Sequence, residues 1–343
     1  MTEALSRDIT EQGITVTSQT HTRPAQALRQ AAIRATLAPS VHNTQPWRFV
    51  IGHDTLEIHA TWTRKLRVLD PTGRQLIISC GCALFNARVA LAAAGYDASV
   101  ERYPDPAKPD LLARLTLTEP DGRTPLGALD AVVELRQTNR RRFAADPVPP
   151  DVVYSLVAAA EAEGGQLFEI TSPEHRLTTA RLSQQADRDQ NANPAYRAEL
   201  RSWTTDDPRR RDGVPALAVP HVDEGAHDDV PIRDFDTHGM GWLPVETHSS
   251  MNQCLLLLGT LEDRPIAWLR AGEALEHVLL EVTRQGYAAS PLTQVIEMPR
   301  TRAALRDELG LDMNPHVLLR IGRAPKTPAS RRRRLVDVLT ETD

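Results

Sequence analysis

Two stretches of this chain carry nearly the same text. Gly81 to Ser99 reads GCALFNARVALAAAGYDAS and Gly272 to Ser290 reads GEALEHVLLEVTRQGYAAS. At an offset of 191 they agree at Gly81/Gly272, Ala83/Ala274, Leu84/Leu275, Gly95/Gly286, Tyr96/Tyr287, Ala98/Ala289 and Ser99/Ser290. Each is an apolar run at helical spacing, so each predicts a helix buried on most of its faces. Strand-like text follows each, LLARLTL after the first and LLRIGRA after the second, with an extra helix before the latter. Two copies at this distance point to a duplicated α+β unit rather than a solenoid, which stacks at least three repeats. Chance likeness of two apolar helices is the alternative. If the halves are sisters, a ligand site can lie on their seam, each half keeping only part of it.

The remaining text fills in both halves. Helices are expected over 24–38, 81–96, 125–139, within DPVPPDVVYSLVAAAEAEGG, over 173–202 and 272–287, and in RTRAALRDELGL. WRFVI and TLEIHATW flank Gly52-His53-Asp54 as a hairpin, and LLARLTL, QLFEI, NQCLLLLGT and HVLLRIGRA read as strands. Residues 203–249 are polar and unpatterned, and a stretch of that length reads as a lid or a disordered linker. The expected organisation is a flexible N-terminus over 1–22, a first half over 23–122, and a second half over 123–343 that includes the lid at 203–249.

Composition excludes several classes. The 343 residues carry a net charge of −5, so a nucleic-acid backbone is not the expected partner. The first residues lack the apolar core of a signal peptide, and the longest aliphatic run is LLLL at 255–258, so no membrane partner and a cytoplasmic protein are expected. Three cysteines, Cys80, Cys82 and Cys254, fit buried thiols in a reducing compartment. His221, His227, His238 and His248 sit at irregular spacing, so no metal is expected.

The stretch LAPSVHNTQPWRFVI joins the first helix to the first strand. It places Pro, Ser, His, Asn and Gln, all poor helix and strand formers, where a short turn of almost any sequence would serve. Small polar groups followed by Trp47 and Arg48 suggest that backbone and side chains meet a ligand there.

Pro39, Ser40, Asn43, Gln45, Pro46 and Trp47 give this stretch a resemblance to the PS-x-x-N-x-QPW signature of the nitroreductase-like flavoproteins. The resemblance implies a mixed sheet wrapped by helices, built as a dimer with FMN at the interface. A second mark of that family, R-x-S-x-R, is matched by Arg136, Thr138 and Arg140 in RQTNRRRF, with Thr138 in place of Ser. The two marks fall in different halves, and each half lacks the other's. The chain therefore looks like the Acg-type subgroup, in which a nitroreductase dimer is fused into one chain with one intact composite site. A monomer of fused-dimer architecture is the expected state. Arg142 and the extra arginines at 331–334 depart from the pattern.

FMN asks for charge at its phosphate, hydrogen-bond donors at its polar edge and a flat apolar slot. The resemblance assigns the charge to Arg136, Arg140 and Arg333 or Arg334; solvated helix-end and tail charges are the alternative. Ser40 and Asn43 offer polar groups to phosphate or ribityl hydroxyls, and Gln45 and Arg48 to the ring edge or its chain. Trp47 and Phe49 alternate on a strand and so share a face, serving either the flavin slot or the core. Ala289, Ser290 and Pro291 would let backbone approach the ring. No catalytic side chain is required, because the flavin takes hydride from NAD(P)H and passes electrons to a small-molecule acceptor such as a nitroaromatic or quinone. No G-x-G-x-x-G is present, so the nicotinamide would stack on exposed flavin. A protein that holds FMN beneath its lid with little turnover is the second expectation, and a duplicated domain with another ligand is the third.

Overall fold

The computed structural model describes residues 23–118, 125–205, 207–215, 230, 233, 235 and 253–342. The expected flexible N-terminus, most of the expected lid and His221, His227, His238 and His248 lie outside the described residues.

Helix α1 (Pro24–Ala35) opens on a proline, as its first turn allows, and buries Leu28, Ala31, Ala32 and Ala35 along one face. The hairpin β1 (Trp47–Ile51) and β2 (Thr55–Ala60) follows. Then come α2 (Arg74–Ala93), β3 (Asp97–Arg102) and β4 (Leu111–Thr118). After the short helix α3 (Asp130–Val133), the plan continues as α4 (Pro150–Ala162), β5 (Gln166–Glu169), α5 (Pro173–Asn191) and α6 (Pro194–Trp203). It closes through β6 (Cys254–Thr260), α7 (Pro265–Arg284), β7 (Ala288–Leu292), α8 (Gln294–Glu297), α9 (Pro299–Glu308), β8 (Asn314–Gly322) and β9 (Leu339–Glu341).

The strands form two sheets, in the orders β3-β4-β2-β1-β9 and β5-β6-β8-β7. Apart from β9, each sheet has one long helix between its second and third strands in the sequence, α2 in one and α7 in the other. Both helices stop in the same way. Gly95 and Gly286 have φ of +86° and +76°, and the following amides, of Tyr96 and Tyr287, return to Leu91 O and Val282 O. That is the left-handed helix stop that glycine adopts without steric cost. Strand β9, formed by Leu339–Glu341, pairs in parallel with β1 and extends the sheet of the hairpin.

The two long helices pack on each other at their matched glycines. A Cβ at Gly81 would lie 2.1 Å from Leu269 O, and one at Gly272 would lie 2.0 Å from Ile78 O. Only hydrogen fits at this crossing. All of α2 except Arg88 and Ala93 is buried. It has the length and apolarity of a membrane span, which inspection of aliphatic runs missed, yet 89% of that stretch is buried inside the fold. One apolar core runs from Leu28, Trp47 and Ile58 through Leu84 to Leu156, Leu258, Val278 and Leu319.

Several expected boundaries move. Helix α2 starts at Arg74, not near 81, and α7 starts at Pro265, not 272. The helix expected over 125–139 shrinks to α3 and adjoining 3-10 turns, after which the chain is extended. The helix expected over 173–202 divides where the Asn193 side chain caps α6 and Pro194 occupies its first turn. Strands β3, β7 and β9 were not separated from their neighbours in the sequence. Replacing Gly81 or Gly272 by Ala is expected to cost at least about 2 kcal/mol by overpacking. Urea unfolding followed by far-UV circular dichroism measures it, and an unchanged midpoint contradicts this account of the crossing.

Candidate functional site

The turn after α1 is strained and tied down. His42, Asn43 and Gln45 have φ of +51°, +54° and +48°, a region that side chains other than Gly seldom enter and that clusters at functional sites. Ser40 Oγ accepts from Gln45 N at 2.9 Å. Asn43 Nδ2 donates to Gly213 O and Arg331 O, and Gln45 Nε2 donates to Arg211 O at 2.8 Å while its Oε1 accepts from Arg333 N at 2.8 Å. The turn is thereby pinned to two remote segments, and Pro39 to His42 are left facing a cavity.

That cavity holds about 800 Å³ of space, the open solvent at its mouth included. From the first half it takes Pro39 to His42 and the α2 residues Gln75, Ile78, Ser79 and Cys82. From the second half come Thr138, Arg140, Leu275, Val317 and Ser290 to Gln294, and from the segment between come Arg233 and Phe235. Thr138 forms an isolated parallel bridge with Ala289, and Asn139 N donates to Ala289 O. The extended segment 138–140 thus runs beside β7, opposite the turn.

Among the described residues no carboxylate lines the cavity, while two arginines do. Arg140 stacks over Phe235 at 5.3 Å, and no carboxylate among the described residues pairs with it. Burial, with Arg233 adding like charge, pulls its guanidinium down to about 10. Arg233 is paired with Glu297 at 2.5 Å and donates to Tyr196 Oη at 2.6 Å. Burial first, then Arg233 and Arg140, push the His42 imidazole well below its ordinary value, so the ring is neutral. Ser290 Oγ is fully buried with no hydrogen-bond partner, which leaves a hydroxyl for a ligand. The cavity is electropositive and suits an anionic molecule with a planar apolar body.

A second cationic cluster touches the other side of the turn. Arg136 Nη2 and Arg332 Nη2 both donate to Leu37 O at 3.1 Å. Arg332 Nη1 also donates to Asn43 Oδ1 at 3.0 Å. Glu276 lies 3.2 Å from Arg136 Nε, but neither of its oxygens has a partner in hydrogen-bonding geometry. Burial raises its carboxyl to about 7, and burial with the charge of Arg136 lowers Arg332 to about 9. Two cations share at most one carboxylate, a surplus that an anion can meet.

Of the residues proposed from sequence, Ser40, Thr138, Arg140, Ser290 and Pro291 meet at one cavity. Asn43, Gln45, Pro46, Trp47, Arg48, Phe49, Arg136 and Arg333 do not line it. Asn43 and Gln45 pin the turn, and Pro46 O accepts from Thr61 N. Trp47 and Phe49 are fully buried in the core, while Arg48 projects from the opposite face near Asp110, 3.9 Å away. Arg136 belongs to the Glu276 cluster. Arg333 binds Gln45 O and Asp337 O, and Arg334 pairs with Asp337; the tail arginine that turns inward is Arg332. Sequence reading also missed His42, which sits at an unspecified position of the motif, and Arg233 and Phe235, which lie in unpatterned text.

No protein-family profile matches the chain. Curated relatives do. A Mycobacterium tuberculosis (strain H37Rv) protein named "Putative NAD(P)H nitroreductase Rv3131" is 37% identical over 327 residues, 93% of each chain. Another from that strain, named "Putative NAD(P)H nitroreductase acg", is 31% identical and covers 91% of this chain and 94% of its own. Among solved structures, an FMN- and NADPH-dependent nitroreductase, NfnB, from Sphingopyxis aligns with 63% of this chain and 99% of its own, at 18% identity and a TM-score of 0.38. The chain belongs to the NAD(P)H nitroreductase family of these mycobacterial relatives.

Two outcomes follow from the charges. Arg140→Met should raise the unfolding free energy of the ligand-free protein by about 1 kcal/mol, because a buried cation is removed at a functional position; a lower urea midpoint contradicts this. The Glu276 carboxyl is raised from 4.5 to about 7, so the folded state binds more protons than the unfolded one between those values. Stability from this group is complete below 4.5 and falls as pH rises through about 7. Compared with Glu276→Gln, the wild type should lose stability across that window and change no further above it, as thermal melts in a buffer series will show.

Proposed function

We propose that the chain is an FMN-binding NAD(P)H oxidoreductase that reduces small acceptors such as nitroaromatics or quinones. The observation that carries the reading is the joining of Ser40, from one half, to Thr138, Arg140 and Ser290, from the other, around one cavity. The names of the mycobacterial relatives support the reaction class.

The donors fit the cofactor. Arg140 offers positive charge to an anionic ligand, and the unpartnered Ser290 Oγ and the Ser40 and Thr138 hydroxyls offer hydrogen bonds. Pro39, Ile78, Pro291 and Val317 supply apolar wall. When bound, FMN supplies two-electron chemistry between a nicotinamide and an acceptor. The chain's residues hold and orient it, and none has to act as a nucleophile.

We further infer that residues 23–122 and 123–343 are the two sisters of a fused dimer, which functions as a monomer with one flavin per chain. Supporting this are the shared strand order, the paired glycine stops and the matched glycines at the helix crossing. A second reading, in which FMN is held with little turnover, is favoured by one feature: Arg233 and Phe235, from the expected lid, line the cavity.

Titration with FMN should turn the protein yellow at one flavin per chain; a protein that takes up none overturns the proposal. Anaerobic NADPH should then bleach the flavin within seconds. Bleaching by dithionite but not by NADPH or NADH would favour the holding function.

A further inference from the structure

His42 has features that no structural role requires. Its side chain lines the cavity although the residue is only 4% exposed, and its backbone is held at a φ of +51°. Its ring meets Phe235 edge-on at 5.7 Å, and its Nε2 lies 3.5 Å from Arg233 Nη1. A guanidinium only donates, so the nitrogen facing it must carry the lone pair. Arg233 cannot swing away freely. The same Nη1 also donates to Tyr196 Oη at 2.6 Å, Nη2 reaches Glu297 Oε1 at 2.5 Å and Thr293 Oγ1 at 3.2 Å, and Glu297 is itself held by Gln190 Nε2 and Thr293 Oγ1. Helices α5, α6 and α8 thus fix the guanidinium, and the guanidinium fixes the ring.

We propose that His42 is the cavity's neutral hydrogen-bond donor: Arg233 holds it in the Nδ1–H tautomer, and it recognises a carbonyl or nitro oxygen of the molecule that fills the cavity. Among the described residues the groups facing the ring are Arg233, Arg140 and Phe235, two cations and an aromatic edge, with no acid to favour imidazolium. The ring therefore donates through Nδ1–H as a fixed dipole and does not shuttle protons. Among the described residues nothing partners Nδ1. Arg233 acts through His42 and is a positioning residue. This inference rests on the flavin reading for the identity of the ligand, but the tautomer does not.

The first test uses the ligand-free protein labelled with 15N-histidine, with His42 assigned by comparison to His42→Gln. Long-range proton–nitrogen correlation should show a neutral ring protonated at Nδ1 throughout pH 5 to 8. An Nε2–H ring, or one that titrates in that range, overturns the proposal. The second test compares His42→Phe, which keeps a ring without the donor, with His42→Gln, which keeps an N–H. His42→Phe should weaken FMN binding, or raise the KM for a quinone, about tenfold, whereas His42→Gln should stay within about threefold. A change in FMN affinity assigns the bond to a flavin carbonyl. A change in quinone KM at unaltered FMN affinity and kcat assigns it to the acceptor. If both constants for His42→Phe match the wild type, His42 does not recognise the ligand. Failure of the wild type to bind FMN would sink the flavin reading and leave the tautomer result standing.

Discussion

The approach of α2 to α7 at Gly81 and Gly272 sets the geometry of everything around it. Two backbones come within the reach of a missing methyl group, so the helices cross closely, and no larger residue substitutes at either point. Cys82 on α2 and Leu275 on α7, each within a turn of the crossing, are walls of the same cavity. The closeness also buries charge. Glu273 on α7 is fully buried and is met by Arg102 Nε at 3.0 Å from β3. Losing one member of such a buried pair strands the other and costs several kcal/mol. Packing at the glycines and the Glu273–Arg102 pair therefore reinforce each other across the same seam.

Around the cavity the balance of charge is reversed. Among the described residues arginines are turned inward, no acid joins the lining, and one serine hydroxyl is left unsatisfied. A chain selected for stability alone would not keep these features, since each costs free energy without a ligand. The three left-handed residues after Ser40 belong to the same pattern. Strain in the turn is held by Asn43 and Gln45, whose amides reach segments 166 or more residues away in sequence. Family membership and electrostatics here point in one direction, toward an anionic cofactor.

What could be read from the sequence was pattern, and what could not was direction. The signature at Pro39 to Trp47 and the arginines after 135 located the site, and Ser40 and Arg140 do share a cavity. The text did not tell which polar groups would face it. Asn43 and Gln45 have the chemistry of ligands and serve as ties for the backbone, because the left-handed turn aims them outward. Trp47 and Phe49 share a face as alternation requires, and that face is the core. In the run Arg331 to Arg334 an extended tail without periodicity decides which side chain enters, and Arg332 enters instead of Arg333. The start of α2 was misplaced because Arg74, Gln75 and Ser79 look like surface residues, yet all three are buried. Arg233 and Phe235 sit in text with no pattern to follow.

The seam between α2 and α7 joins parts of one polypeptide, and β9 stitches the end of the chain to the strand that follows the turn. A site divided between separate molecules is lost on dilution, once their concentration falls below their affinity. Tethered partners face each other at an effective concentration fixed by the chain itself. The described walls of this cavity all belong to one polypeptide, so dilution does not part them.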